Sequence, residues 1–323
     1  MFFYTFLQPE MFSESAADGE DAMQNLASIL NGFLQNCFLA VFEDDRWSPS
    51  VKETLLNWPE TSNRKRVMSL LVQLKKHKRF LYCIVPDYLE QKTDLDSVFE
   101  QAAAIPLDLI LVTDAEKNHP APTGTEIATR RSYQNTVFEP LRSSFAVHGK
   151  TCKHGEMNCA DFLNVHFARA LKYASEIHLC DRICGSKNFA DNFIYTVKEF
   201  MHWLGNHLSD SAACKIVFHL GQPKGLGIQH VLNELEDIRK KSLPKTEIEL
   251  RVYNDSTGTQ SLPHQRFIMT DQLALNIDRG LDFLDRATHK CRDTFIGCQN
   301  PQDAQRLLDD YSSCSLSIYK INQ

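Results

Sequence analysis

Three short apolar segments in the first third of the chain constrain its fold more than any other feature. Residues 37–45, 79–87 and 107–114 are rich in aliphatic and aromatic side chains, and each segment ends in aspartate. Continuous apolar runs of this length are typical of strands buried on both faces, as in a parallel sheet. We therefore predict three buried strands.

Helical patterns separate these strands. Within residues 62–79, apolar residues recur at helical spacing, namely Val67, Leu70, Leu71 and Leu74. Ser62 or Asn63 is suited to cap the start of this helix. Residues 93–104 form a shorter helical pattern with an aspartate-rich start. Strands that alternate with helices predict a small α/β domain with an at least partly parallel sheet.

The length of 323 residues suffices for two domains, and the pattern changes in the middle of the chain. Residues 114–130 contain two prolines and a glycine but no apolar period, as is typical of a linker. We predict a small N-terminal α/β domain over 1–115, a linker over 116–130 and a second α/β domain over 131–323. In the second domain we predict strands at 135–149, 176–183, 214–220, 247–254, 264–270 and 314–321, and helices at 159–174, 189–208, 227–241 and 300–313.

Composition and charge narrow the class of protein. The net charge of -6 and pI near 6.1 exclude a generally cationic surface, so any contact with nucleic acid needs a local patch. The apolar start of the chain is interrupted by Gln8, Pro9 and Glu10 and lacks the basic segment of a signal peptide. No run approaches the roughly 18 apolar residues of a membrane span. We expect a cytoplasmic protein.

The ten cysteines are too few for a disulfide scaffold, and none forms a C-x2-C pair. One cluster, formed by His148, Cys152, His154 and Cys159, has residue types that bind zinc. Zinc sites usually place their ligands in two closely spaced pairs. We therefore favour a polar loop over a metal site, and we expect no cofactor.

The stretch HQRFIMTDQLALNIDRGLDFL, residues 264–284, contains the candidate chemistry. His264, Arg266 and Asp271 have the spacing of an H-x-K-x4-D phosphodiesterase motif, with arginine in place of lysine. Because side chains alternate along a strand, we expect His264 and Arg266 to share one face. In metal-independent cleavage one imidazole attacks phosphorus, a cation neutralises the oxygens and a second imidazole protonates the leaving group. Arginine binds phosphate through its planar fork, so we assign these three residues as candidate catalytic residues.

Two further segments carry a resemblance to a known family. An R-G-L-D segment, Arg279–Asp282, follows the H-x-R strand. Upstream, residues 170–204 contain a helix end, a strand that reaches Asp181 and a following helix. In this order the chain resembles the phospholipase D-like domain at the C-terminus of certain microtubule-interacting-and-trafficking proteins, which has bacterial relatives. The resemblance covers roughly residues 131–323. It implies an α/β/α sandwich with Asp181, Arg279 and Asp282 at substrate-binding positions.

The resemblance also implies partners and a biological setting. One H-x-R motif supplies one histidine, whereas the reaction needs two on opposite sides of phosphorus, so a homodimer is expected to bring two copies of His264 together. We expect a bacterial protein that binds or cleaves nucleic-acid phosphodiesters. Its union with an unrelated N-terminal domain is an architecture expected in anti-phage defence, together with partner proteins from the same operon.

Two other functions stay open on the sequence. The same pocket can belong to a non-catalytic module that binds a phosphate or a partner protein. Alternatively, Asp44 or Asp45, Asp87 and Asp114 follow the three N-terminal strands and can gather a divalent cation, as in metal-dependent nucleases of the PIN or NYN kind.

Structural roles compete with the functional ones. Arg279 and Asp282 can form an ion pair that fixes a turn with Gly280 at positive φ, and Asp271 can cap the turn before the next strand. The basic residues around the helix of residues 62–79 can be a solvated face or a contact for a phosphate backbone. They are Arg64, Lys65, Arg66, Lys75, Lys76, Lys78 and Arg79.

Overall fold

Two separate sheets organise the chain, one in each of two units. The computed structural model describes residues 1–42, 47–83, 105–182, 190–208, 214–221, 227–253, 264–312 and 316–321. The first unit comprises Phe2–Ala146 and the second Val147–Gln323. The protein is therefore of mixed α/β class, as predicted. No helix among the described residues has the length and apolar character needed to cross a membrane.

The first sheet consists of five described strands in the order β3-β2-β1-β4-β5, and every neighbouring pair is parallel. The strands are β1 (Phe3–Leu7), β2 (Cys37–Phe42), β3 (Phe80–Cys83), β4 (Leu109–Val112) and β5 (Glu126–Thr129). Each of the three predicted segments contains one of these strands, namely β2, β3 and β4, which confirms the three predicted strands. The predicted helix at 93–104 lies outside the described residues.

Helices connect the strands of the first sheet. They are α1 (Glu10–Asp18), α2 (Glu20–Asn36), α3 (Trp47–Asn57) and α4 (Ser62–Lys76). The helical period of Val67, Leu70 and Leu74 is confirmed, because these side chains form the buried face of α4. The predicted cap is wrong by one or two residues: Thr61 accepts the hydrogen bond of the Arg64 backbone N–H at 3.3 Å. A threonine oxygen at this position satisfies one of the unpaired N–H groups of the first turn.

Two strands of this sheet, β1 and β5, were not predicted from the sequence. β1 lies in the apolar start of the chain, and β5 lies inside the predicted linker, where it pairs with β4. β5 is a short strand at the edge of the sheet, so its sequence need not show a regular pattern of apolar residues. The Glu126 carboxylate accepts the backbone N–H groups of Val137 and Phe138 at 3.0 and 2.9 Å. Residues 126–129 are therefore part of the first sheet and not a linker.

The segment 135–149 is a helix, not the predicted strand. It forms α5 (Phe138–His148), which buries Phe138, Arg142 and Phe145 at helical spacing. The Arg142 guanidinium forms two hydrogen bonds with the Glu139 carboxylate, both 2.7 Å long, and a third with the Gly32 carbonyl at 2.9 Å. Arg142 can lie on the buried face of α5 because its charge is paired with Glu139. A pattern of hydrophobic residues alone does not reveal this.

Arg79 has neither of the two roles that the sequence left open for the basic residues around α4, a solvated face or a phosphate contact. Its side chain is 1% exposed, and its guanidinium carbon lies 5.2 Å from the centre of the Phe38 ring and 5.6 Å from that of Phe2. It donates a hydrogen bond to the Cys37 carbonyl at 3.1 Å. The residue stabilises the core of the first unit through cation–π contacts and is not available to bind phosphate.

The second sheet has eight described strands in the order β15-β9-β8-β7-β10-β11-β14-β6. These are β6 (Lys150–Cys152), β7 (Glu176–Asp181), β8 (Lys215–Gly221), β9 (Glu247–Tyr253), β10 (Phe267–Thr270), β11 (Ala274–Ile277), β14 (Thr294–Gln299) and β15 (Leu316–Ile321), with β12 (Leu284–Asp285) and β13 (Lys290–Cys291) in a separate hairpin. β7, β8 and β9 are mutually parallel, and the other neighbours in the sheet are antiparallel.

Four helices accompany this sheet. They are α6 (Cys159–Leu171), α7 (Ala190–Gly205), α8 (Ile228–Ser242) and α9 (Pro301–Ser312). All four coincide with predicted helices. α9 packs Ala304, Leu308 and Tyr311 against an apolar cluster that includes Phe267 and Met269 of β10. This packing holds β10 beside β7, where the candidate site lies.

Candidate functional site

The antiparallel pairing of β10 with β7 creates the site. Phe267 pairs with Cys180, so Arg266, the residue before β10, reaches Asp181 at the end of β7. β11 returns beside β10, with Asn276 opposite Phe267, and brings the following turn to the same edge of the sheet. Three chain segments that are distant in sequence therefore converge at the carboxyl end of a parallel strand, where α/β proteins commonly bind ligands.

Asp181 is the buried centre of this edge. It is 3% exposed, and its Oδ2 accepts the backbone N–H of Leu281 at 2.8 Å. Its Oδ1 lies 3.6 Å from Nε of Arg266, an ion pair without a hydrogen bond at that distance. Arg266 also donates from Nη1 to the Asp278 carbonyl. The arginine is thus held from two sides, and a quarter or less of its side chain faces solvent.

Gly280 allows this close approach. Its φ of +60° is in the left-handed region, as the sequence analysis anticipates. A Cβ at this position would lie 2.2 Å from Asp181 Oδ2 and 2.7 Å from Arg266 Cδ. The turn therefore needs glycine both for its backbone conformation and for the space next to the ion pair.

His264 lies at the same edge and is exposed. Its Nε2 is 2.8 Å from Nη1 of Arg182, the residue after β7. A guanidinium only donates hydrogen bonds, so Nε2 must accept and the imidazole proton is on Nδ1. β10 begins at Phe267, so the predicted strand over 264–270 is too long at its start, and strand alternation does not place His264 and Arg266. The sequence patterns gave Arg182 no role, so this contact was missed.

Asp271 lies at the other end of β10. Five residues separate it from Arg266, roughly 16 Å in an extended chain. Its Oδ1 accepts the Ser175 backbone N–H at 3.2 Å, and its Oδ2 accepts the Ser175 hydroxyl at 2.5 Å. The hydroxyl of Thr270, not Asp271, caps the following turn. The structure therefore brings His264 and Arg266 to one edge and places Asp271 away from them.

Asp282 binds three side chains around the turn after β11. It accepts hydrogen bonds from Arg292 at 2.9 and 3.1 Å, from Asn192 of α7, and from Arg279 at 3.4 Å. Arg279 also donates to the Asp293 carbonyl. The predicted ion pair between Arg279 and Asp282 is confirmed. Both residues fix the turn that presents Gly280 to Asp181, so their observed contacts are structural.

The possible metal ligands have other partners. Cys152 Sγ lies 3.0 Å from His166 Nε2, and Cys159 Sγ lies 3.3 Å from the Tyr195 hydroxyl. Asp114 forms an ion pair with Arg131 at 2.6 Å. Within the described ranges, no three His, Cys, Asp or Glu residues are placed to hold a metal ion. Asp44, Asp45 and Asp87 lie outside those ranges.

A chain of hydrogen bonds on β7, β8 and β9 was also missed. His178 Nδ1 lies 2.9 Å from His219 Nε2, and His219 Nδ1 lies 2.9 Å from the Tyr253 hydroxyl. Burial lowers the pKa of both histidines, which is the condition under which each ring can donate from one nitrogen and accept at the other. The signal in the sequence was one histidine within the apolar run of β7 and another within that of β8, which apolar patterns do not reveal.

Buried neutral histidines predict a loss of stability in acid. Burial lowers the pKa of His166 to about 4 and raises that of its neighbour Cys152 to about 11. Above pH 6.5 the imidazole is neutral in both folded and unfolded chains, so stability does not depend on it. Below that value only the unfolded chain binds the proton, and the free energy of unfolding should fall by about 1.4 kcal/mol per pH unit. Hydrogen exchange of β7 and β8 amides at pH 6.5 and 5.0 measures this loss.

The control for this prediction is His166→Leu. Removing the titrating group should reduce the dependence of stability on pH by about 1.4 kcal/mol per unit in this range, although the variant is less stable at pH 7. An unchanged pH dependence in His166→Leu would show that this imidazole is protonated in the folded protein.

Comparison with known proteins gave no assignment. No protein-family model matches the chain, and no curated protein matches its sequence. The resemblance to the phospholipase D-like family rests on the motif residues alone.

Proposed function

We propose that the second unit is a phospholipase D-like domain that binds a nucleic-acid phosphodiester at His264, Arg182 and Arg266. The observation that supports this most strongly is the contact of 2.8 Å between the Arg182 guanidinium and the His264 imidazole. It places a permanent cation beside an unprotonated ring nitrogen. The cation can bind a phosphate oxygen, and the ring nitrogen can attack the phosphorus atom.

The charges of the site suit a phosphodiester. Arg182 and Arg266 are two cations, and Asp181 is one buried carboxylate, so these three side chains carry one net positive charge. A phosphodiester carries one negative charge. Asp181 positions Arg266 through their ion pair, and its negative charge keeps the net charge of the site equal in magnitude to that of the ligand. The guanidinium of Arg182 donates to His264.

Cleavage would need a second imidazole. Within the described part of the chain, no other histidine contacts His264, whose partner is Arg182. We propose that the catalytic form is a homodimer in which His264 of one subunit attacks phosphorus and His264 of the other protonates the leaving group. A monomer of this domain would bind phosphodiesters without cleaving them.

The test is cleavage of fluorescent single-stranded and duplex oligonucleotides in excess chelator. We expect cleavage that survives the chelator and falls by about 100-fold or more in His264→Ala, the effect typical of losing an acid–base or nucleophilic group. His154→Ala is the matched control, because His154 is also exposed in the second unit. The rate should also fall when dilution dissociates the homodimer.

The opposite results assign the activity elsewhere. Cleavage that requires a divalent cation and persists in His264→Ala would move it to the aspartates of the first unit. Binding that His264→Ala abolishes, without cleavage of any substrate by a homodimer, would assign the site to a non-catalytic module. The roles in anti-phage defence and in an operon stay predictions.

A further inference from the structure

The exposed face of α4 has an unusual charge for this protein. The helix contains five basic residues and no acidic one, in a chain whose net charge is -6. Four of the basic side chains are exposed, while the apolar face of the helix is buried in the first unit. We define the basic face as Lys65, Arg66, Met68, Val72, Lys75 and Lys76.

The charges of the basic face are not balanced by ion pairs within the described ranges. Among the described residues, no carboxylate forms an ion pair with any of these four cations. Two exposed lysines of the second unit differ in this respect, because Lys198 pairs with Glu234 and Lys240 pairs with Glu236 at 2.6 Å. A cluster of unpaired like charges repels itself in the unbound protein, and a polyanion relieves that repulsion.

The spacing of the cations suits duplex nucleic acid. Lys65 and Lys75 are ten residues apart, about 15 Å along a helix at 1.5 Å per residue. The major groove of B-form DNA is about 12 Å wide, so two cationic pairs at this separation can reach the phosphates on both sides of it. Between them lie Met68 and Val72, which are 38% and 65% exposed. Apolar side chains at this position can contact thymine methyl groups.

We propose that the basic face of α4 binds double-stranded DNA. An anionic membrane fits less well. A helix that lies in a membrane inserts a broad apolar face, whereas Val67, Leu70 and Leu74 of α4 are buried in the protein and only Met68 and Val72 remain. This surface belongs to the first unit and does not rest on the function proposed for His264.

Fluorescence anisotropy of the full chain with a labelled duplex of about 24 base pairs, measured over a range of salt concentrations, tests the proposal. Each of two double variants, Lys65→Gln/Arg66→Gln and Lys75→Gln/Lys76→Gln, should weaken binding about tenfold or more near 0.1 M salt. Each should also reduce the slope of log K against log salt by about 1.8, since each lost phosphate contact contributes about 0.9. Lys52→Gln/Lys117→Gln removes the same charge from exposed sites outside α4 and should stay within about twofold of the unmodified protein.

Three results would overturn the proposal. One is equal weakening in the α4 variants and the control, which indicates a general charge effect. Another is no duplex binding by the unmodified protein below about 0.1 mM, the weak end of non-specific affinities. The third is unchanged duplex binding in the α4 variants together with lost binding to phosphatidylserine vesicles. His264→Ala should keep the salt-dependent contribution of α4, so the failure of either site is seen independently of the other.

Discussion

Gly280→Ala is expected to destabilise the second unit by about 3 kcal/mol or more. The left-handed backbone costs a residue with a Cβ about 1–2 kcal/mol. The new methyl group would also lie 2.2 Å from Asp181 Oδ2, and that carboxylate cannot retreat without losing its hydrogen bond from Leu281. Denaturant unfolding followed by hydrogen exchange of β7 and β10 amides measures the loss.

Gly155→Ala separates the two causes. Gly155 also has positive φ, +75°, in the same unit, but its nearest neighbour to a new Cβ is Lys290 Cδ at 3.8 Å. This control should therefore lose only the backbone contribution, about 1–2 kcal/mol. Equal losses in both variants would show that the turn after β11 does not press against Asp181.

Asp181→Ala should have the second large effect, a loss of about 3 kcal/mol. The change leaves the Leu281 N–H without its acceptor and removes the counter-charge of Arg266, which is 23% exposed. Breaking a buried ion pair on one side typically costs 3–5 kcal/mol, and partial exposure of Arg266 places this case at the lower end. Asp181→Asn keeps an acceptor for Leu281 and should cost less.

Asp271→Ala is the matched control at the far end of β10. It removes the two hydrogen bonds with Ser175, which should cost about 1–2 kcal/mol. Because Asp271 lies away from His264, its removal should leave the affinity for a phosphodiester within about threefold of that of the unmodified protein. The loss of a binding contact of about 1.4 kcal/mol would weaken the affinity about tenfold. Abolished binding in a folded Asp271→Ala would restore the catalytic role that the motif assigns to it.

Much of the fold follows from apolar period. Buried parallel strands such as β4 and amphipathic helices such as α4 can be predicted because burial alone determines which of their positions are apolar. α5 escaped because one of its buried residues is Arg142, whose burial depends on Glu139 and on carbonyls distant in sequence. β5 escaped because a short edge strand is stabilised by its neighbour and not by its own composition.

The candidate site was predictable in its parts but not in its assembly. The sequence identifies His264, Arg266 and Asp181, and it anticipates the positive φ of Gly280. The register of β10 against β7 decides which of these residues meet, and register depends on the whole sheet. The extended conformation of β10 separates Asp271 from His264. The register places Arg182 within hydrogen-bond distance of His264, a contact that spacing along the chain cannot show.

The central claim is that His264 and Arg182 bind a phosphodiester, and the most direct measurement is nuclear magnetic resonance of ¹⁵N-labelled histidine during titration with a dinucleotide. We predict that the His264 Nε2 resonance of the unmodified protein shifts and saturates, and that Arg182→Gln weakens this binding by about tenfold, the effect of losing a charged hydrogen bond of 1.4 kcal/mol. A His264 resonance that does not move while the dinucleotide binds elsewhere, or that moves equally in Arg182→Gln, would contradict the claim.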